Sequence, residues 1–328
     1  MGSHYIQEYA YVIDILDLLI AQSMRWFKAV LYIHVPELQR LHQIKGRTPL
    51  LQSLDIAQVE LLERNSNVGS VYERFADTFE DCPSLTRLQL VMFDIKKWKF
   101  NWSSIVVLQL NLSTTLDQLV AILSQSVHLE ELKVDWRKES DSELIDVARS
   151  MITLPSLKKL TVSDNVFGVL TTPGLEYLSI AFRWNNHDGT ATAFLRRSSC
   201  PLGHLVLREP SRANAVEVLS AIPGLSVLEI YQYNGVEELI KLLNCHLPGG
   251  LLMCQLKSLQ LHIGGQLTPK DVVELSTMVA SRARSVEVDG LQELVLWGKH
   301  GCRVDLTILQ SQCEEEGVKL TVFEHDDF

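Results

Sequence analysis

One short phrase, apolar-x-x-apolar-x-apolar, returns along most of this chain. It reads Leu51-Leu54-Ile56, Leu85-Leu88-Leu90, Ile105-Leu108-Leu110, Leu129-Leu132-Val134 and Leu157-Leu160-Val162. It continues as Leu175-Leu178-Ile180, Leu202-Leu205-Leu207, Leu225-Leu228-Ile230, Leu256-Leu259-Leu261 and Leu291-Leu294-Leu296. The last two apolar positions of each copy alternate around one residue, which is the period of a strand with one buried face. The residues between them are Asp55, Gln89, Gln109, Lys133, Thr161, Ser179, Glu229 and Gln260, with Val206 and Val295 interrupting. They predict a second face of mixed polarity and no dominant charge.

Helical spacing fills the gaps between phrases. Leu116, Leu119, Val120 and Leu123 lie at i, i+3, i+4 and i+7, as do Leu144, Val147, Ala148 and Met151. The same pattern holds for Ala215 to Ile222, Val236 to Leu243 and, with Ser276 as a polar break, Val272 to Val279. Each run predicts an amphipathic helix. Thr268-Pro269 reads as an N-cap with proline in the first helical position. Thr114 with Asp117, and Ser140 with Glu143, read as capping boxes. Strand, turn and helix in alternation give parallel strands joined by crossovers.

Successive phrases begin as little as 18 residues apart (157 to 175) and as much as 35 apart (256 to 291). A leucine-rich repeat has a period of about 20–29 residues, so the spacing fits an irregular member of that class. The expected architecture is therefore an α/β leucine-rich-repeat solenoid, with a parallel sheet on its concave side and helices on its convex side. A doubly wound sheet shares the alternation of elements. Its strands would lead into a Gly-rich phosphate turn, and none here does. Only Leu157-Leu160-Val162 goes on to the consensus asparagine, Asn165, followed by Phe167. One domain is expected over 1–328: an N-terminal cap at 1–50, repeats at 51–296, and a C-terminal cap with an acidic tail at 297–328. Within the caps, helices are expected around Val12 to Leu19 and Asp305 to Gln312, and strands at 29–33 and 319–323.

The segments LPSLKKLTV, LTTPGLEYLSI, FLRRSSCPLGHLVL and LSAIPGLSVLEI resemble the leucine-rich-repeat region of mushroom-type fungal F-box proteins, and LLIAQSMRWFKAVLYI followed by RTPLLQSLDI resembles the stretch that leads into their first repeats. The resemblance covers roughly 12 to 296. It implies a protein-binding module, the substrate-recognition arm of a ubiquitin-ligase receptor. Such receptors also carry an F-box that docks on the adaptor of a cullin-type ligase. No Leu-Pro start with its helical pattern occurs in this sequence, so contact with that adaptor is expected only if an F-box exists outside this chain. A stand-alone scaffold or inhibitor unconnected to ubiquitin is the alternative.

Charge narrows the partner. Forty acidic against thirty basic residues give a formal net charge of −10, which lacks the basic stripe a nucleic-acid binder needs. The segment Ile13 to Ala21 is too short to span a membrane and carries Asp14 and Asp17. A protein partner is expected, with no nucleic acid and no membrane. The six cysteines form no C-x-x-C pair, which points to reduced thiols and a cytoplasmic or nuclear protein. No G-x-S-x-G, H-E-x-x-H, P-loop or G-x-G-x-x-G is present, so no enzyme and no cofactor are expected. Cys245, His246, Cys254 and His262 fit no standard zinc spacing and read as core thiols and surface histidines, leaving no metal site. Arg196 and Arg197 read as cations that complement a helix C-terminus. The aromatics Trp136, Phe182, Trp184, Tyr231, Tyr233 and Trp297 fall just after a strand phrase, along one rim of such a sheet. Tyr and Trp are favoured interface anchors, so Trp136, Trp184, Tyr231, Tyr233 and Trp297 are the expected partner-binding residues.

Overall fold

The computed structural model describes residues 13–33, 40–58, 77–91, 98–112, 116–136, 151–182, 189–231, 240–241, 243–244, 253, 255–263, 267–285, 290–299 and 305–325. It is a mixed α/β protein of parallel strands and helices. The chain divides into two compact units, Met1–Leu157 and Lys158–Phe328.

The first unit starts with a helix over residues 13–21. Strands β1 (Lys28–Ile33), β2 (Ser53–Gln58), β3 (Arg87–Val91), β4 (Val107–Leu112) and β5 (Glu131–Trp136) follow, with a helix at Leu116–Leu123 and a two-residue strand β6 (Ile152–Thr153). Strands β1 to β5 pair in parallel, in chain order. Register puts Leu54, Leu88, Leu108 and Leu132 in one transverse column, and Ile56, Leu90, Leu110 and Val134 in the next. No residue of either column is more than 3 % exposed. The alternation in each phrase thus becomes a continuous apolar sheet face. Beside it Phe79, Trp98, Phe100 and Trp102 pack ring on ring and are all buried.

The second unit holds β7 (Lys159–Ser163), a 3-10 helix at Asp164–Val169, and a two-residue strand β8 (Leu170–Thr171). Then come β9 (Tyr177–Ala181), β10 (His204–Arg208), β11 (Val227–Tyr231), β12 (Ser258–His262), β13 (Glu293–Lys299) and β14 (Lys319–His325). Helices at Thr190–Ser198, Arg212–Ser220, Pro269–Arg284 and Thr307–Glu315 lie between them in sequence. Strands β7, β9, β10, β11, β12, β13 and β14 pair in parallel in that order. Sequential pairing within each unit is what stacking of neighbouring phrases requires, and differs from the reordered strands of a doubly wound sheet. Leu160, Leu178, Leu205, Leu228, Leu259 and Leu294 form the central column and are all 0 % exposed. Strand β14 pairs with β13 along its whole length, Glu293 opposite Lys319 through Lys299 opposite His325. Among the described residues no further strand follows it, so it forms an edge.

Long side chains pin the connections. Thr268 caps the helix Pro269–Arg284 in a full capping box with Asp271. Arg282, 0 % exposed, donates to the backbone carbonyls of Leu243 and Met253. Arg196 and Arg197 lie in the last turn of the helix Thr190–Ser198, as expected, and Arg197 also reaches beyond its own helix. Its guanidinium donates to the carbonyls of Phe167 and Leu170, each at 2.7 Å, and to Thr171 Oγ1. The side chain is long enough to reach the preceding connection, whose carbonyls need donors more than a solvated helix end does. The helix expected at Leu144 to Met151 lies outside the described residues except for Met151, and Thr114, Ser140 and most of Val236 to Leu243 lie outside them too.

Candidate functional site

Each strand of the second unit turns its leucines to one side of the sheet and its alternate residues to the other. Register arranges these alternate residues in three rows. The row at the strand ends runs Ala181, Arg208, Tyr231, His262, Trp297 and Phe323. The middle row runs Ser179, Val206, Glu229, Gln260, Val295 and Thr321. The row at the strand starts runs Tyr177, His204, Val227, Ser258, Glu293 and Lys319.

The end row is a ladder of stacked rings. Tyr231 and His262 lie 3.7 Å apart between centroids at 12°, His262 and Trp297 5.1 Å at 8°, and Trp297 and Phe323 4.1 Å at 19°. Parallel strands are about 4.8 Å apart, so planar side chains at one register position are set at stacking distance by the backbone itself. At one end the Arg208 guanidinium carbon lies 4.6 Å from the Tyr231 ring centroid, a cation–π contact. At the other end Phe323, on the edge strand, is 41 % exposed.

The two carboxylates of this face are hydrogen-bonded within it. Glu229 takes a hydrogen bond from His204 Nε2 at 2.8 Å and one from the Tyr231 hydroxyl at 3.2 Å. The His204 contact holds the Glu229 carboxyl below its ordinary value, against the upward push of burial. Burial and then the Glu229 carboxylate hold the Tyr231 phenol above its ordinary value, so it stays protonated and can donate. Glu293 accepts from Lys319 Nζ at 2.8 Å and from Ser258 Oγ at 3.3 Å. Arg208 is exposed, and among the described residues no carboxylate pairs with it.

Tyr231 and Trp297, expected just past their strands, lie within β11 and β13 as rungs of the ladder. Trp136 is the last residue of β5, in the first unit, in register with Leu112. Its indole lies outside the described residues, as do Trp184 and Tyr233 entirely. Phe182 turns inward: it is 8 % exposed, and its N–H donates to the Arg208 carbonyl. His262, read from sequence as a surface histidine, is 8 % exposed, because the rings on both sides exclude water from it. The sequence reading missed Arg208, His262 and Phe323 as ladder members. The signal was available, since each follows directly on the last apolar residue of its strand: Leu207, Leu261 and Val322.

Among the described residues no three His, Cys, Asp or Glu side chains converge as metal ligands, and no helix is long and apolar enough to cross a membrane. A cleft of about 610 Å³ lies at the strand starts of the second unit, lined by Arg196, Cys200, Gly203, Ser226 and Gln255 among others. Burial pushes the Cys200 thiol up, the wrong direction for a nucleophile. Compared with protein-family models and with curated proteins, the chain matches none.

Proposed function

We propose that this chain is a protein-interaction module of the leucine-rich-repeat solenoid type, not an enzyme, and that its partner docks along the strand-end row of the second unit. The stacked row from Arg208 to Phe323 carries the reading. Aromatic and arginine side chains held rigidly on a scaffold bind protein surfaces at little entropic cost, because their rotamers are already fixed. The pair His204 and Glu229 does not favour catalysis. Its hydrogen bonds run to Tyr231, and among the described residues no serine, threonine or cysteine shares the imidazole. The resemblance to fungal F-box proteins supports a substrate-recognition arm, and the free thiols Cys82, Cys200 and Cys313 support a cytosolic or nuclear setting. A scaffold or inhibitor independent of ubiquitin uses the same face and differs in lacking the ligase adaptor.

The test is cross-linking capture from a cell extract with the parent chain, Tyr231→Ala and Trp297→Ala, each checked for folding by circular dichroism. The expected result is a set of proteins captured by the parent and lost from both variants. Buried aromatic anchors lose about 2 kcal/mol or more of binding on truncation. Identical capture by all three folded proteins overturns the site assignment. Whether the genomic reading frame upstream of Met1 encodes an F-box separates the ligase reading from the scaffold reading.

A further inference from the structure

Among the described residues the ladder ends at Arg208, and the break has a chemical character. The Arg208 guanidinium carbon lies over the Tyr231 ring on one side. The next register position toward β9 is Ala181, whose methyl group cannot cover the other face. Beyond it stands Ser163, 4 % exposed. A planar cation is therefore exposed beside a missing rung.

We propose that this notch accepts a carboxylate side chain from an extended peptide segment of the partner, which then crosses the strands along the row toward Phe323. The proposal rests on the protein-binding reading of this face. Charge complementarity selects the ligand. Glu293 is engaged by Lys319, and Glu229 accepts from His204 and Tyr231, so within the end row Arg208 is a cation that no described carboxylate engages. A guanidinium offers a planar fork of donors that a carboxylate fills with two hydrogen bonds. Four strand intervals separate Arg208 from Phe323, about 19 Å at ~4.8 Å each. An extended peptide covers that distance with about six residues. The ligand is thus an acidic residue followed or preceded, four to six positions away, by an apolar or aromatic side chain that meets Trp297 and Phe323. A single-stranded nucleic acid also stacks on rings and pairs with arginine. The formal charge of −10 disfavours it, since one free arginine does not neutralise a phosphate backbone.

The experiment is selection of a random library of capped octapeptides, which have no terminal carboxylate, on the immobilised full chain. Parent, Arg208→Gln, Ala181→Phe and Trp297→Ala are compared, with folding of each verified by circular dichroism. The parent should enrich peptides with Asp or Glu at the stated distance from an apolar residue. Arg208→Gln should weaken the selected peptides roughly tenfold or more, as expected for loss of a charge-assisted hydrogen bond. Ala181→Phe, which fills the notch, should do the same with the arginine still present. If it misfolds, Arg208→Gln decides alone. Selected peptides without an acidic residue, or an acidic preference unchanged in Arg208→Gln, overturn the inference. If Trp297→Ala still reduces enrichment in that case, the protein-binding reading survives without it. No enrichment by the parent overturns both. Binding of oligouridylate to the parent that is lost in Arg208→Gln overturns the peptide assignment in favour of nucleic acid.

Discussion

Replacing His262 with alanine tests whether the ladder is a cooperative structure or a row of neighbours. The imidazole is the middle rung, 3.7 Å from Tyr231 and 5.1 Å from Trp297, and 8 % exposed. His262→Ala removes both stacks at once. A well-oriented aromatic pair contributes about 0.5–1.5 kcal/mol beyond its buried area, so the two contacts together represent ~1–3 kcal/mol. The strand itself should survive, because Leu259 and Leu261 still fill the core. Urea denaturation followed by circular dichroism measures the loss. With a slope near 2 kcal/mol per molar, the midpoint should fall by about 0.5–1.5 M. Gln260→Ala, on the same strand and the same face, is the control and should stay within about 0.5 kcal/mol of the parent. His262→Phe restores the stacking surface and should recover most of the loss. A cost for His262→Ala below about 0.5 kcal/mol, indistinguishable from the control, would refute the argument that the rings support one another.

Other substitutions probe the scaffold. Leu228→Ala, in the fully buried central column, should cost about 2–5 kcal/mol by denaturation, three buried carbons at ~0.8 kcal/mol each plus a cavity term. Thr268→Ala breaks the capping box of Pro269–Arg284 and should cost about 0.5–2 kcal/mol in the same assay. Glu229 is held below its ordinary carboxylate value of 4.5, so its contribution is present above that pH and disappears as pH falls through the lower folded value. The stability advantage of the parent over Glu229→Gln should therefore be present at pH 5.5 and shrink below pH 4.5, read from urea midpoints at each pH.

The strands and their order were legible in the sequence because the core demands them. A buried column such as Leu160 to Leu294 needs an apolar residue at the same place in every phrase, and period two follows from the pleat. The end row was half legible. Tyr231 and Trp297 stand out as large aromatics just after their strand phrases, but the phrase alone does not show that they are rungs of one row. Comparing the phrases by their last apolar residue brings Arg208, Tyr231, His262 and Trp297 into one column. What sequence does not carry is the mutual burial that makes His262 a rung, since stacking depends on neighbours in other strands. The reach of Arg197 to Phe167 and Leu170, and of Arg282 to Leu243 and Met253, was illegible for the same reason. A long side chain's acceptor is chosen by tertiary proximity.

Strand β14 has a bearing on how this protein can be handled. Its outer edge carries backbone groups that no described strand pairs with, and Val322 is 46 % exposed there. The exposed Lys319 at its start sets a charge on that edge, a feature that discourages sheet-to-sheet adhesion. Protease clipping before Lys319 would transfer the edge to β13, whose Leu294 and Leu296 are at most 1 % exposed in the intact chain. Trp297 would lose Phe323, the ring now stacked over it. Ten missing residues from a chain of 328 look trivial on a gel, yet the remainder would carry a longer, stickier margin than the parent. Preparations that age by C-terminal nicking should be recognised by growing light scatter before any fall in helix signal.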